Sequence, residues 1–211
     1  MRLLEALLDL IYPPRCAACG TRGVRLCGAC VAQCVPLPVQ RRPRALPASS
    51  ALQRALGIYP FEGVVREAIH VFKYNGERGL AVPLAALLAA HRPLEADALA
   101  AVPLHAERQR ERGFNQAALL AQELGRIWGI PLVTTLIRVR ATDHQVGQSA
   151  RDRSANVQGA FVWDSQTPPP ARIVLIDDVL TTGATLIACA EALCAAGASE
   201  VEGLTLARAG A

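Results

Sequence analysis

The chain has 211 residues, enough for one ordinary domain and a small additional module. With 52% hydrophobic and 19% charged residues it can bury a core, which argues against a disordered protein. The net charge of +4 and the pI of about 8.8 favour anionic ligands, but they fall short of the pI above ~9 that indicates nucleic-acid binding.

Residues 1–11 predict an amphipathic helix that ends before Pro13 and Pro14. Glu5 and Asp9 interrupt its apolar run, no small-residue cleavage site follows, and the stretch is too short to span a bilayer. We therefore expect a cytoplasmic protein with neither a secretory signal nor a transmembrane segment.

Four of the seven cysteines form two C-x-x-C pairs. Two such turns can present four thiolates to one ion, and a tetrahedral set of thiolates selects zinc and closes the site to water. The pattern therefore predicts a structural zinc (Zn²⁺) site made by Cys16, Cys19, Cys27 and Cys30. The gap between the pairs is shorter than a common zinc spacing, and disulfide pairing is the alternative, which a reducing cytoplasm disfavours.

Residues 36–50 are rich in proline and arginine, which is typical of a linker. We therefore expect an N-terminal helix, zinc module and linker in residues 1–50, and a larger domain in residues 51–211. The linker arginines, which are either candidates for nucleic-acid phosphate contacts or simply solvated, are Arg41, Arg42 and Arg44.

The larger domain opens with a predicted strand at residues 56–61 and a helix over residues 64–72. An Asn-Gly turn then separates Lys73 from Arg78. These cations are candidates for anion binding, or they are surface cations at a helix end. A second helix, rich in alanine and leucine, is predicted over residues 80–91.

An apolar strand predicted over residues 98–104 leads into a basic cluster. Leu104 and His105 stand at the strand end. The arginines that follow are Arg108, Arg110 and Arg112. Guanidinium groups fixed at a strand end suit a pyrophosphate, whose charges need fixed donors.

Asn115 can cap a helix that runs to Gly129, and residues 132–139 predict another strand. The following residues 142–161 are polar and lack an apolar stripe. Loops of this kind can close over a substrate and exclude water, so we expect either a lid or an ordinary surface excursion.

Residues 172–186 combine a strand, two acids and a phosphate-binding turn. After Arg172, residues 173–176 are apolar at every position, which indicates a strand covered on both faces. Ligands bind at the carboxyl end of such strands. Asp177 and Asp178 stand at that end. The small and hydroxyl residues 181–185 then open a helix whose free N–H groups suit a phosphate.

Acids beside a phosphate turn predict a ribose 5-phosphate ligand. Carboxylates would repel a bare phosphate, but they can bind ribose hydroxyls while the turn binds the 5′-phosphate. The stretch is neither a P-loop, since no Gly-Lys-Ser/Thr follows, nor a dinucleotide fingerprint. The alternative is a buried strand and turn whose acids only cap the next helix.

From residue 56 onward strands alternate with helices, and a last strand is predicted at residues 200–207. This order predicts an α/β fold, with a parallel sheet flanked by helices.

Several motifs in order make nearly the whole chain resemble the ComF/GntX family of bacterial phosphoribosyltransferase-like proteins, which is linked to competence for DNA uptake. Besides the C-x-x-C pairs, they are F-K-Y-N-G at 72–76, V-P-L-H with R-x-R-E-R-G-F-N-Q at 102–116, Q-x-G-x-S with R-x-x-N-V at 145–157, and L-I-D-D-V-L-T-T-G-A-T at 175–185. The resemblance implies a type I phosphoribosyltransferase fold with an N-terminal zinc module.

The resemblance also implies that the chain binds phosphoribosyl pyrophosphate (PRPP) with Mg²⁺. Asp177 and Asp178 would be the catalytic residues and hold the ribose hydroxyls, while residues 181–185 hold the 5′-phosphate and the strand end near Leu104 holds the pyrophosphate. The PRPP-binding residues implied in this way are Lys73, Leu104, His105, Arg108, Arg110, Arg112, Asp177, Asp178, Val179, Leu180, Thr181, Thr182, Gly183, Ala184 and Thr185.

Two functions are compatible with these expectations. In the first, the protein transfers the phosphoribosyl group of PRPP to a nitrogen of an unidentified acceptor and has a role in DNA uptake. In the second, it is a non-catalytic competence factor that binds single-stranded DNA, contacts competence proteins, and uses the pocket to sense PRPP or hold a DNA terminus.

Overall fold

A five-stranded parallel sheet forms the centre of the protein. The computed structural model describes residues 13–41, 45–92, 95–140, 157 and 159–210. The strands are β1 (Arg54–Pro60), β2 (Ala98–Ala101), β3 (Leu132–Val133), β4 (Leu136–Arg138), β5 (Phe161–Trp163), β6 (Arg172–Leu180) and β7 (Glu200–Arg208). The α-helices are α1 (Gly28–Val31), α2 (Gly63–Tyr74), α3 (Ala81–Ala89), α4 (Ala106–Arg112), α5 (Gln116–Trp128) and α6 (Ala184–Ala195).

The strands of the main sheet lie in the order β1-β7-β6-β2-β3, and every neighbouring pair is parallel. The strands β4 and β5 form a separate antiparallel pair. The α/β fold with a parallel sheet and flanking helices is therefore confirmed. The strand that carries the two acids, β6, lies in the middle of the sheet, with β7 on one side and β2 on the other.

The central strand β6 is buried on both faces, as its unbroken apolar run predicts. Ile173 and Leu175 belong to a core cluster shared with α6, whereas Val174 and Ile176 belong to a second cluster shared with α2, α3 and α5. Alternate side chains of a strand point to opposite faces, so each face has its own core. The carboxyl end of β6 is thus held rigidly between two packed layers.

Three of the predicted strands differ most from the observed ones. The strand predicted at 98–104 ends at Ala101, shortly before Pro103, which has no N–H to donate to a neighbouring strand. The stretch 132–139 forms two short strands. The first, β3, pairs with β2 in the main sheet over two residues, and the second, β4, pairs with β5. Conversely, β6 continues to Leu180, since its pairing with β7 extends beyond the two acids.

The cysteine-containing segment packs against the main core. Leu26 and Cys30 are buried in the same cluster as residues of α2 and α3. After this segment the chain runs along β1, where the Leu37 N–H donates to the Ile58 carbonyl at 2.8 Å. The division between residues 1–50 and 51–211 stays a prediction, and the predicted helix of residues 1–11 lies outside the described residues.

Across the ranges given above, the helices are all too short or too polar to cross a lipid bilayer.

Candidate functional site

The four cysteines of the two C-x-x-C pairs converge on one point. Their Sγ atoms all lie within 4.8 Å of one another, and those of Cys19 and Cys27 are 3.6 Å apart. A tetrahedral Zn–S₄ site with 2.3 Å bonds has sulfur atoms about 3.8 Å apart. The cluster is therefore compatible with a structural zinc bound by Cys16, Cys19, Cys27 and Cys30.

Local backbone hydrogen bonds explain how the cysteine turns form. The Gly20 N–H donates to the Cys16 carbonyl at 2.9 Å and closes the first turn, while the Cys27 N–H points at Cys16 Sγ at 3.4 Å. The second turn leads into α1, which carries Cys30. Cys34 lies outside the four-thiol group, with its Sγ 3.5 Å from the Cys30 carbonyl.

A cavity of about 350 Å³ lies at the carboxyl ends of β2 and β6, where ligands bind in parallel α/β sheets. Eleven of the residues predicted to bind PRPP line it: Lys73, Leu104, Arg108, Arg112, Asp177, Asp178, Val179, Thr181, Thr182, Ala184 and Thr185. These residues come from α2, from the segment between β2 and the end of α4, and from the stretch that spans the end of β6 and the start of α6. The fold therefore brings three distant parts of the chain to one site.

The acidic edge of the cavity contains a partly buried ion pair. Lys73 Nζ donates to Asp178 Oδ1 at 2.7 Å, and the Asp178 N–H donates to Asp177 Oδ1 at 2.8 Å. Burial, followed by the negative charge of Asp178, raises the pKa of Asp177 to about 7. Lys73 therefore neutralises Asp178, whereas Asp177 changes its charge near neutral pH.

The loop between β6 and α6 has the features of a phosphate-binding turn. Gly183 has φ +83°, a left-handed conformation that side-chain-bearing residues avoid, and it precedes the first residue of α6. No side chain caps the start of α6, although the Ala184 N–H donates to Thr182 Oγ1 at 3.3 Å. The uncapped N–H groups of the first turn and the threonine hydroxyls can therefore donate to phosphate oxygens.

The basic edge of the cavity is formed by α4, and only some of its cations face the cavity. Arg108 and Arg112 line it, whereas Arg110 is exposed with its Nε 3.4 Å from the Ala106 carbonyl. His105 caps α4, where its Nδ1 accepts from the Glu107 N–H at 3.4 Å. Two further predicted residues, Leu180 and Gly183, are buried beside the cavity and are not among its described lining residues.

Other cavity residues were missed by the sequence interpretation. Arg138, at the end of β4, lines the cavity, and burial, followed by the charge of Arg108, lowers its pKa. Gln116 is 1% exposed; its Oε1 accepts from Arg112 Nη1 at 3.2 Å and its Nε2 donates to the Phe72 carbonyl at 3.4 Å. Gln116 ends the R-x-R-E-R-G-F-N-Q motif, which was a usable signal. Arg138 stands in an ordinary apolar strand pattern, which gives no signal that it lines a cavity.

A second, more open cavity of about 740 Å³ adjoins the first and shares Lys73, Arg108 and Arg112 with it. Tyr74 in its wall is 63% exposed, and the Arg112 guanidinium carbon lies 5.3 Å from the centre of its ring. We call this second cavity the mouth. It joins an exposed aromatic ring to the basic edge of the first cavity.

Some predicted features lie outside the described residues. These are most of the predicted lid at residues 142–161, together with Arg42 and Arg44 of the linker. The side chain of Arg41 is also outside the description.

The chain is similar to several known proteins. A family model described as "Phosphoribosyl transferase domain" matches residues 110–211. The chain is 41% identical over 116 residues to Competence protein F of Haemophilus influenzae, a match that spans 54% of this chain and 51% of that protein. It is 34% identical over 160 residues to DNA utilization protein YhgH of Salmonella typhi, with coverage of 71% and 70%. It is 30% identical over 167 residues to Competence protein ComFC of Bacillus subtilis, with coverage of 76% and 66%.

Proposed function

The chain belongs to the ComF/GntX family of phosphoribosyltransferase-like proteins, and from this membership and the geometry of the cavity we propose that it binds PRPP together with Mg²⁺. One observation carries the proposal. A single cavity contains two carboxylates, an uncapped helix start with threonine hydroxyls and a pair of arginines, contributed by three separate parts of the chain. These are the groups required by a sugar with a phosphate at one end and a pyrophosphate at the other.

Each part of PRPP has a proposed partner. Residues 181–185 would bind the 5′-phosphate through N–H groups and hydroxyls at the start of α6. Asp177 and Asp178 would accept hydrogen bonds from the ribose hydroxyls. Arg108 and Arg112 would bind the pyrophosphate, since guanidinium groups match phosphate oxygens in charge and geometry.

The residues present also suit Mg²⁺, which prefers oxygen ligands and is usually bound through carboxylates and substrate phosphates. Asp177 and Asp178 are the carboxylates that would hold it at this site. When bound with PRPP, Mg²⁺ would offset the negative charge that collects on the pyrophosphate.

The proposed reaction is a substitution at C1 of the ribose. The C1–O bond breaks, the electron pair leaves with pyrophosphate, and a nitrogen of the acceptor bonds to C1 and loses its proton. Arg108 and Arg112 would stabilise the charge that develops on the leaving pyrophosphate, because fixed cations act strongly in a partly buried site. The acidic edge would keep the sugar positioned while positive charge develops at C1.

Calorimetric titration of Mg·PRPP tests the binding proposal. We expect saturable binding to the wild type and its loss in the Asp177→Ala/Asp178→Ala variant. Asp164→Ala is the matched control, because Asp164 is exposed and is not among the described residues lining the cavity. Pyrophosphate release in a screen of nitrogen acceptors then tests turnover. Wild-type protein that fails to bind Mg·PRPP would contradict the proposal.

The mouth favours a second candidate function, the binding of single-stranded DNA. An exposed aromatic ring next to arginines is a surface on which bases stack while phosphates are neutralised, and Tyr74 with Arg108 and Arg112 provides one. The names of the relatives, which refer to competence and DNA utilization, are consistent with such a partner and with competence proteins. Binding of an oligonucleotide should weaken steeply with added salt and on Tyr74→Ala. No binding at low salt would exclude this function.

A cytoplasmic location is part of the proposal. A reducing compartment keeps cysteines as thiols that can bind zinc, and the four-thiol cluster needs this state.

A further inference from the structure

We propose that Arg78 is a positioning residue for the arginines of the basic edge, and that Arg25 of the cysteine-containing segment holds the turn that carries Arg78. The inference rests on the proposed function, since it concerns how the same cavity holds the pyrophosphate of PRPP. It links the four-cysteine cluster to ligand binding through a chain of specific contacts.

Arg78 contacts the end of α4 rather than the cavity. Its Nη2 donates to the Gly113 carbonyl at 2.7 Å, and its guanidinium carbon lies 5.2 Å from the centre of the Phe114 ring. Gly113 is the left-handed residue that ends α4, with φ +74°. Arg78 is not among the described residues that line either cavity. Its position therefore suits holding a helix and not binding the anion directly.

Packing alone does not hold α4 in place. All seven of its residues are described and none of them is buried, and helices this short are unstable in isolation. Its position therefore depends on contacts at its two ends. His105 caps its beginning, and at its end Arg78 binds the Gly113 carbonyl while Arg112 donates to Gln116. Because Arg108 and Arg112 belong to this helix, its position decides where both cations point.

Arg25 connects the cysteine-containing segment to the turn that carries Arg78. Its Nε lies 3.7 Å from Glu77 Oε2, and its side chain covers Gly79, where an added Cβ would come within 2.2 Å of that Nε. The Arg25 carbonyl accepts a hydrogen bond from the Ala17 N–H at 2.9 Å, so the first cysteine turn fixes its backbone. Contacts therefore run from the cysteine turns through Arg25 and the 77–80 turn to α4.

This arrangement predicts a selective effect on one end of PRPP. If α4 is held less firmly, part of the ligand's binding free energy must be used to order this helix. The affinity for the group that α4 binds is then lower. The 5′-phosphate turn at residues 181–185 belongs to a different element, which is anchored by the packing of α6. Loss of Arg78 should therefore weaken binding of pyrophosphate but not of ribose 5-phosphate.

The test is calorimetric titration of pyrophosphate with Mg²⁺, and separately of ribose 5-phosphate. We expect Arg78→Met to weaken pyrophosphate binding about fivefold and to change ribose 5-phosphate affinity by less than about twofold. Arg78→Lys should restore part of the loss, since an ammonium can still donate to the Gly113 carbonyl. Arg126→Met is the charge-matched control, because Arg126 is an exposed residue of α5 that pairs with Glu123.

Gly79→Ala tests the contribution of Arg25 without removing any charge, because the new methyl group must displace the Arg25 side chain. We expect Gly79→Ala and Arg25→Met each to weaken pyrophosphate binding about threefold. The Arg25→Met/Arg78→Met variant should lose less affinity than the product of the two single losses, since both residues act through one contact path.

The outcomes separate this inference from the proposed function. If the wild type binds neither ligand, the proposed function fails and the positioning role fails with it. If the wild type binds both ligands but Arg78→Met binds pyrophosphate equally well, or weakens for both ligands alike, only the positioning role is overturned.

Discussion

Lys73 Nζ donates to Asp178 Oδ1 at 2.7 Å, across 105 residues of sequence. The pair joins the last turn of α2 to the carboxyl end of β6, and its side chains are only 19% and 10% exposed. It neutralises one of two adjacent carboxylates, which would otherwise repel each other and a phosphorylated ligand. The cation therefore both stabilises the site and reduces the charge that an anion meets there.

Removal of the lysine should destabilise the fold. Lys73→Met leaves the Asp178 carboxylate partly buried without its partner, and we expect the free energy of unfolding to fall by about 2 kcal/mol. Urea denaturation measures this change. The Lys73→Met/Asp178→Asn variant should lose less than the sum of the two single changes, because the second substitution removes the unpaired charge. Full additivity would show that the two side chains do not interact.

The affinity for Mg·PRPP should depend on pH through Asp177. Burial and the charge of Asp178 raise the pKa of Asp177 to about 7, so this carboxyl is largely protonated at lower pH and ionised at higher pH. In the proposed function it is the ionised form that would accept hydrogen bonds from ribose hydroxyls and hold Mg²⁺. We therefore expect affinity to be about tenfold lower one pH unit below this pKa than well above it.

Asp177→Asn provides the control for this pH dependence. The affinity of this variant still changes with pH to the extent that PRPP itself ionises. The difference between the affinity curves of the two proteins therefore reports the ionisation of the Asp177 carboxyl group. Calorimetric titrations at several pH values give both curves. Parallel curves for the two proteins would contradict the assignment of the pH dependence to Asp177.

Gly183 should matter for phosphate binding beyond its effect on stability. Gly183→Ala forces a side chain into φ +83°, and we expect a loss of about 1 kcal/mol in stability together with weaker binding of ribose 5-phosphate. Gly129→Ala imposes a similar strain at φ +68° at the end of α5, remote from the phosphate turn. Gly129→Ala should lower stability without changing the affinity for ribose 5-phosphate. Equal affinities of the two variants for ribose 5-phosphate would count against the phosphate turn.

The four-cysteine cluster predicts about one zinc per chain in protein purified under reducing conditions. Metal analysis should show loss of zinc, and thermal unfolding should show lower stability, for Cys16→Ser or Cys27→Ser. Cys34→Ser should retain the metal, since Cys34 lies outside the four-thiol group. Reduced wild-type protein without zinc would refute a structural metal site.

The sequence by itself was sufficient for features that depend on neighbouring residues. The C-x-x-C spacing predicted the four-thiol group, and Asn115 caps α5 as expected, with its Oδ1 accepting from the Ala117 N–H at 2.9 Å. The apolar run before Asp177 likewise predicted a strand buried on both faces. In each case a few consecutive residues determine the local backbone, so a local pattern is enough.

The tertiary structure decided which side chains meet. Local pattern does not predict that Lys73 pairs with Asp178. Nor does it predict that Arg138 lines the cavity while Arg110 points away from it. These depend on strand order and on the position of α4, which is determined by contacts between residues far apart in the chain. Local spacing thus predicted the chemical groups of the site. The packing of the sheet and helices determined their geometry, because side-chain direction depends on long-range register.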